Sequence, residues 1–326
     1  MMLTVETILK GTGLGPMQSV GQMQVIPLVD TASGQVDERF SPPTLEAGTH
    51  GYGAVSLRNE SDKPTIVPFG AGWVVKQAAQ DHAIASGAFL KPGEQRVLSH
   101  AMCIQQSQPG LIKRAKHALT ILPAKLRSTA LAMRKVDQYS KLWEHISKFN
   151  GELGISSVAN LVTFLTSFEK QLDEFVAEFE LVPRQVGAIV LVGGEVVGVE
   201  RSPSPAYFAA LWEPLVRVCY GSLAVLAGKQ RTTPPPTRLP LVPTAKSLDA
   251  LRHVLTELRE RETRLSLHIA SFVKGLRLER AETPDDTLEE SELWTVAAKP
   301  HTDNRAFSGQ VVMTDRSVMY ASLVAA

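Results

Sequence analysis

Hydrophobic residues follow two different spacings along this chain. Through the first hundred residues they come in short runs set between polar turns: Met23–Val29, Ala54–Leu57, Thr65–Phe69, Ala83–Leu90 and Arg96–Ile104. Asn59-Glu60-Ser61-Asp62-Lys63-Pro64 separates one pair of runs and Lys91-Pro92-Gly93-Glu94 another. In the second turn Pro92 presets φ and Gly93 supplies the positive φ of a type II turn. Runs of this length between turn residues predict a mainly antiparallel β-sheet over 1–110.

From Leu111 to Phe149 glycine and proline thin out and the residues favour helix. Val158–Phe179 is the clearest helical pattern, with Leu161, Leu165, Phe168, Leu172, Phe175, Val176 and Phe179 at spacings of mostly three and four. Ser156 or Ser157 is placed to cap it and Pro183 to stop it. Val186–Val192 and Glu195–Glu200 enclose Gly193-Gly194, a two-residue hairpin turn. Ser204-Pro205 opens a helix that Pro214 should break or kink, although apolar residues continue to Leu226.

Thr232–Pro243 carries five prolines and reads as an extended connector. It either separates domains or crosses over within one. The stretch after it is too poor in apolar residues to fold alone, which favours one composite unit over 1–326. That unit divides into a β-rich 1–110, helices with a hairpin in 111–231, the connector 232–246, and a helix with closing strands in 247–326. Ser247 caps the helix of Leu248, Leu251, Leu255 and Leu258, and Val311–Thr314 pairs with Val318–Val324 across Asp315-Arg316. No internal repeat or coiled coil is evident. The expected class is α+β.

Composition narrows the functions. The 326 residues carry 34 Lys+Arg against 33 Asp+Glu, a net charge of +1, so nothing draws the whole chain to nucleic acid or anionic lipid. No apolar stretch reaches the roughly 18–20 residues of a membrane span, and the N-terminus lacks a signal peptide's basic and apolar regions. Two cysteines, Cys103 and Cys219, make no disulfide framework. A cytoplasmic location is expected, or a virion if the chain is virus-encoded.

Charge is unevenly placed, however. No acidic residue lies between Glu94 and Asp137, where eight cations do. Lys113, Arg114, Lys116, Lys125 and Arg127 form a candidate surface for an acidic or phosphate-bearing partner. The other reading is a solvated helix face balanced by Glu152, Glu169 or Asp173, with further acids in Glu279–Glu292. The absence of aromatics from 97 to 138 argues against a stacking platform for single-stranded nucleic acid.

Catalytic signatures are sparse. His82 follows Asp81, and His100 lies three residues before Cys103, yet no CxxC or HxxxH spacing marks a metal site. Cys103 with His82 or His100 would make a nucleophile–base pair, but its apolar run favours a buried, inert thiol. GTGLGP at 11–16 follows no strand and Pro16 closes it early, so it reads as a turn and not as a phosphate loop. Asp285-Asp286 and Glu289-Glu290 lie in a polar loop after Thr283-Pro284, with nothing to tune them for acid catalysis.

A series of short motifs, in order, resembles one family. Gly15-Pro16-Met17-Gln18 and Met23-Gln24-Val25-Ile26-Pro27-Leu28 come first, then Lys63-Pro64 leading to Gly72. Gln80-Asp81-His82-Ala83-Ile84, Lys91-Pro92-Gly93 and Cys103-Ile104-Gln105-Gln106 follow. Pro183-Arg184-Gln185-Val186-Gly187-Ala188, the Gly193-Gly194 hairpin and the closing strands complete the series. Together they resemble the domain named for its association with ADP-ribosylglycohydrolases and rhodanese-phosphatase proteins, which has no established activity.

The resemblance implies a polar site of Gln80, Asp81, His82, Cys103, Gln105 and Gln106 for nucleotides related to ADP-ribose. It also exposes departures. The family's Gly-Glu is Gly72-Trp73 here, its Cys-x-Glu-Gln is Cys103-Ile104-Gln105-Gln106, and its basic residue after Gln-Asn/Asp is His82. Both carboxylates are replaced, and Gln105 cannot carry a proton at neutral pH. The expectation is therefore a non-catalytic interaction or assembly protein on an inherited scaffold, from a virus or a conflict system, with a protein partner or self-association and no cofactor. Binding or processing of ADP-ribose-related nucleotides is the alternative, and it requires the six residues to converge on one pocket.

Overall fold

Strands from three distant parts of the chain meet in one antiparallel sheet of 11 strands. The computed structural model describes residues 3–31, 37–73, 81–106, 119–155, 158–230, 247–299, 306–314 and 317–326. Along the sheet run Leu3–Thr4, Arg277–Arg280, Ser291–Lys299, Phe307–Met313 and Val318–Ala325. Glu195–Arg201, Gln185–Val192, Met23–Asp30 and Thr12–Leu14 continue it to the far edge. The helices are α1 (Val5–Leu9), α2 (Ala124–Ala132), α3 (Trp143–Glu152), α4 (Leu161–Ser167), α5 (Glu169–Glu178), α6 (Pro205–Pro214), α7 (Gly221–Gln230) and α8 (Leu248–Gly275). The class is α+β, as expected.

Both faces of the sheet are covered, which explains why Gln185–Val192 is buried at every position. Ala188 and Val190 point to a core shared with α2 through α7, while Ile189 and Leu191 join the opposite core with α1 and the C-terminal turns of α8. Gly193 and Gly194, at φ 62° and 87°, make the foreseen hairpin, because two successive positive φ values match the twist of the strands they join. The closing strands pair as expected, with the turn Asp315-Arg316 outside the described residues. GTGLGP contributes the edge strand Thr12–Leu14.

Two turns of the N-terminal region join strands that do not pair with each other. The turns at 59–64 and 91–94 each form, with Gly93 at φ 67° and Glu94 N–H donating to the Lys91 carbonyl at 3.1 Å. The strands they join lie in different sheets. Ala54–Asn59 pairs with Leu45–Thr49 and Gln95–Ser99, and Thr65–Val67 pairs with Ala88–Leu90. The strands from Leu45 to Cys103 therefore build small sheets around a third core that includes Leu57, Val67, Trp73 and Leu90.

The 158–179 helix is interrupted at Phe168, whose φ of −118° leaves the helical range between α4 and α5. Asn160 caps α4 through its side chain, accepting from Val162 N–H at 2.8 Å; Ser156 and Ser157 lie outside the described residues. Pro214 does not end its helix. Its missing N–H and crowded ring are absorbed by a π-helical segment, Leu215–Tyr220, that runs directly into α7. Pro205–Gln230 is thus one 26-residue rod, long and apolar enough to cross a membrane, but 72% of its most apolar window is buried inside the protein. It is a core helix here. Ser247 caps α8 as foreseen, but the helix runs to Gly275, far past Leu258. The proline-rich connector lies outside the described residues.

Candidate functional site

Trp73, His82 and Cys103 form one row across three short strands. His82 sits opposite Trp73 on one side and opposite Cys103 on the other, in a four-stranded sheet of Met102–Cys103, His82–Ala83, Ala71–Trp73 and Leu119–Ile121. Directly opposed residues of an antiparallel pair share a face, so the three side chains lie together. The Asp81 carbonyl accepts from Ile104 N–H at 3.0 Å and locks the adjoining strands. Gln105 bridges to Asn160, and Gln106 N–H donates to the Ala159 carbonyl at 2.8 Å, which stitches the segment to the start of α4.

Asp81, His82, Cys103 and Gln105 are all buried, whereas Gln106 is exposed and Gln80 lies outside the described residues. Trp73 is itself part of the third apolar core. The Cys103 thiol donates to the Gln105 carbonyl at 3.0 Å. Burial pushes this thiol up, and the nearby Asp81 charge adds to the effect, so the sulfur stays protonated at neutral pH. His100 stands apart from the row. It adopts φ 62° at a turn and faces Asp137 at 3.7 Å. Among the described residues no three His, Cys, Asp or Glu side chains gather as metal ligands.

The ARPP-1 domain family, the ARG and Rhodanese-Phosphatase-superfamily-associated Protein domain, matches residues 12–296. This chain belongs to that family. No curated protein and no solved structure matches it.

In this ARPP-1 domain the basic segment is not a free cationic face where it is described. Arg96 pairs with Asp286 at 2.6 Å, Arg134 with Asp285 at 3.4 Å and Lys125 with Glu152 at 2.8 Å. The acidic loop after Pro284 thus meets the basic segment in space. Lys113, Arg114 and Lys116 lie outside the described residues. Arg127 is removed from the candidate surface altogether: it is fully buried, because an apolar helix face carries it into the core.

There Arg127 forms the charged centre that sequence reasoning missed. Its guanidinium donates to Glu200 at 2.8 Å and to the Phe69 carbonyl at 2.9 Å, and lies 4.0 Å over the Phe69 ring. Tyr220 donates to the same Glu200 oxygen at 2.7 Å. Burial is the largest influence and opposes the Arg127 charge, but Glu200 together with Cys219, Tyr320 and Tyr220 outweighs it and holds the pKa above the usual value. Two glycines make room. A Cβ at Gly70, where φ is +71°, would lie 2.6 Å from Arg127 Cγ, and one at Gly198 would lie 2.1 Å from the Tyr220 hydroxyl. The available sign was Glu200 ending the apolar run Val196–Val199, since a carboxylate in a covered strand demands a buried partner.

The ARPP-1 domain also carries an element that the described residues leave uncovered over half its length. Leu265, Ile269 and Phe272 seat the C-terminal turns of α8 on the large sheet. N-terminal to them, every described side chain from Leu248 to Arg264 is exposed. Leu248 and Leu255 are 74% and 45% exposed although they continue the same stripe.

Proposed function

We propose that this chain is a non-catalytic interaction protein whose body holds out α8 to a protein partner. The observation that carries the reading is the pair Leu248 and Leu255, exposed one heptad apart on a helix whose other end is seated on the large sheet. Apolar positions repeated at this spacing and left in water are the mark of a helix that packs against another helix. The sealed row of Trp73, His82 and Cys103 supports the same reading, since it offers no thiolate and no open carboxylate. The reading covers cytoplasmic and virus-particle assemblies alike.

One observation favours the second reading, binding of an ADP-ribose-related nucleotide: Asp81, His82, Cys103 and Gln105 are gathered at one end of a small sheet. Native mass spectrometry of the chain purified from its own source separates the two. The interaction reading expects a stable complex with another chain, lost when Leu248 and Leu255 are replaced by Glu. A monomer carrying an adduct of nucleotide mass would move the assignment to the second reading, and a bare monomer would remove the first.

A further inference from the structure

The helical stripe of α8 has a charge pattern as well as an apolar one. Counting Leu248 as heptad position a places Leu251, Leu255, Leu258, Leu265, Ile269, Phe272 and Leu276 at the remaining a and d positions, with Glu262 the sole exception. The pattern therefore runs over four heptads, half of it spent on the protein's own sheet. Arg252 and Arg259 occupy both e positions of the exposed half and Arg261 a g position. Asp249 lies 3.6 Å from Arg252, but both side chains are more than 80% exposed, and such a pair is too well solvated to cancel the flank.

Resting on the interaction reading above, we infer that α8 pairs with an acidic amphipathic helix of another protein, carrying Glu or Asp at its e and g positions and a cation opposite Glu262. Residues flanking a coiled-coil seam choose the partner by charge, and a polar residue at a single a position fixes the register. A second copy of this chain fits poorly. In a parallel pair Glu262 would face Glu262 within the seam, and in an antiparallel pair the e positions meet, Arg against Arg. A bilayer fits no better. Residues 248–264 contain four arginines and four carboxylates, so anionic lipid exerts no net pull, and Glu262 interrupts the apolar face.

The test titrates the full chain against two labelled synthetic four-heptad peptides with Leu at a and d, one flanked by Glu and one by Lys, each with a Lys opposite Glu262. Fluorescence anisotropy should show binding of the Glu-flanked peptide, weakened roughly tenfold or more by high salt, as expected when exposed charges select the partner. The R252E/R259E variant should reverse the preference, and L255E should abolish both. Equal binding of the two peptides, preference of the native chain for the Lys-flanked peptide, self-association through α8 in sedimentation, or α8-dependent binding to phosphatidylserine vesicles would overturn the inference. So would slow hydrogen exchange across 248–264 in the isolated chain, which would mean that the chain already covers this face itself. If neither peptide binds while L248E/L255E still strips a native partner, the acidic-helix inference fails and the interaction reading stands. If the native partner is also retained, both fail.

Discussion

Arg127 and Glu200 meet at 2.8 Å with both side chains shut away from solvent, one on a helix and the other in the central sheet. The contact joins α2 to the strand Glu195–Arg201, and Tyr220 brings in the π-helical segment. Removing one partner of such a pair leaves an uncompensated charge in the core, at a cost of about 3–5 kcal/mol. Glu200→Gln should lose stability on that scale in urea unfolding. The double change Arg127→Met with Glu200→Leu should recover much of it, because no buried charge remains. Equal stability of Glu200→Gln and the native chain would show that the pair does not hold the core.

The same centre predicts the response to alkali. Burial pushes the Cys219 thiol up from 9.0 to about 12 and holds Tyr207, Tyr220 and Tyr320 above their ordinary 10.0. A raised acid pKa means that the unfolded chain releases its proton first. The stabilisation is complete below pH 9 and falls through the range 9–12, by about 1.4 kcal/mol per pH unit for each group ionised only when unfolded. Loss of circular dichroism and the rise in tyrosinate absorbance from these three residues should therefore coincide, as read in a Tyr52→Phe/Tyr139→Phe background that removes the two exposed tyrosines. Tyrosinate from these three residues in a still-folded chain would contradict the buried cluster.

Neither cysteine should behave as a reactive thiol. Both are fully buried, and burial raises both pKa values. At pH 8 an aromatic disulfide reagent should label neither in the folded chain and both in urea. Fast native labelling of Cys103 would mean that its row opens, and would restore a thiol-based chemistry to consideration.

Asn59 ties the two turns of the N-terminal region together. Its amide donates to the Lys63 carbonyl at 2.8 Å in its own turn, and to the carbonyls of Leu90 and Lys91 at 3.2 and 3.1 Å beside the other. Asn59→Ala strands these acceptors in a buried setting and should cost about 1–3 kcal/mol, seen as a lower urea midpoint with an unchanged slope. Asn59→Asp should be no better, since a carboxylate accepts and cannot donate to carbonyls.

Much of the local structure was legible in the chain. Gly193-Gly194, Ser204-Pro205 and Ser247 mark a hairpin and two helix starts through backbone preferences and caps that act within a few residues. Cys103 with His82 was weighed as a pair from the sequence, and a two-residue strand pairing sets the two opposite each other. The turns at 59–64 and 91–94 were recognisable as turns but not as crossings between sheets. A turn's sequence governs its own dihedrals and says nothing about which strand lies beyond.

Sequence by itself determined the class of the fold, the family and the apolar stripe of α8, because periodicity, turn chemistry and motif order are properties of neighbouring residues. Only the tertiary structure decided what each charged or apolar group faces. Arg127, counted with a basic surface, is buried against Glu200, while Leu248 and Leu255, read only as residues of a capped helix, are exposed. Burial is set by packing between elements far apart in the chain, and that packing turned one of eight clustered cations into the core's charged centre and left the described side chains of half of one helix exposed.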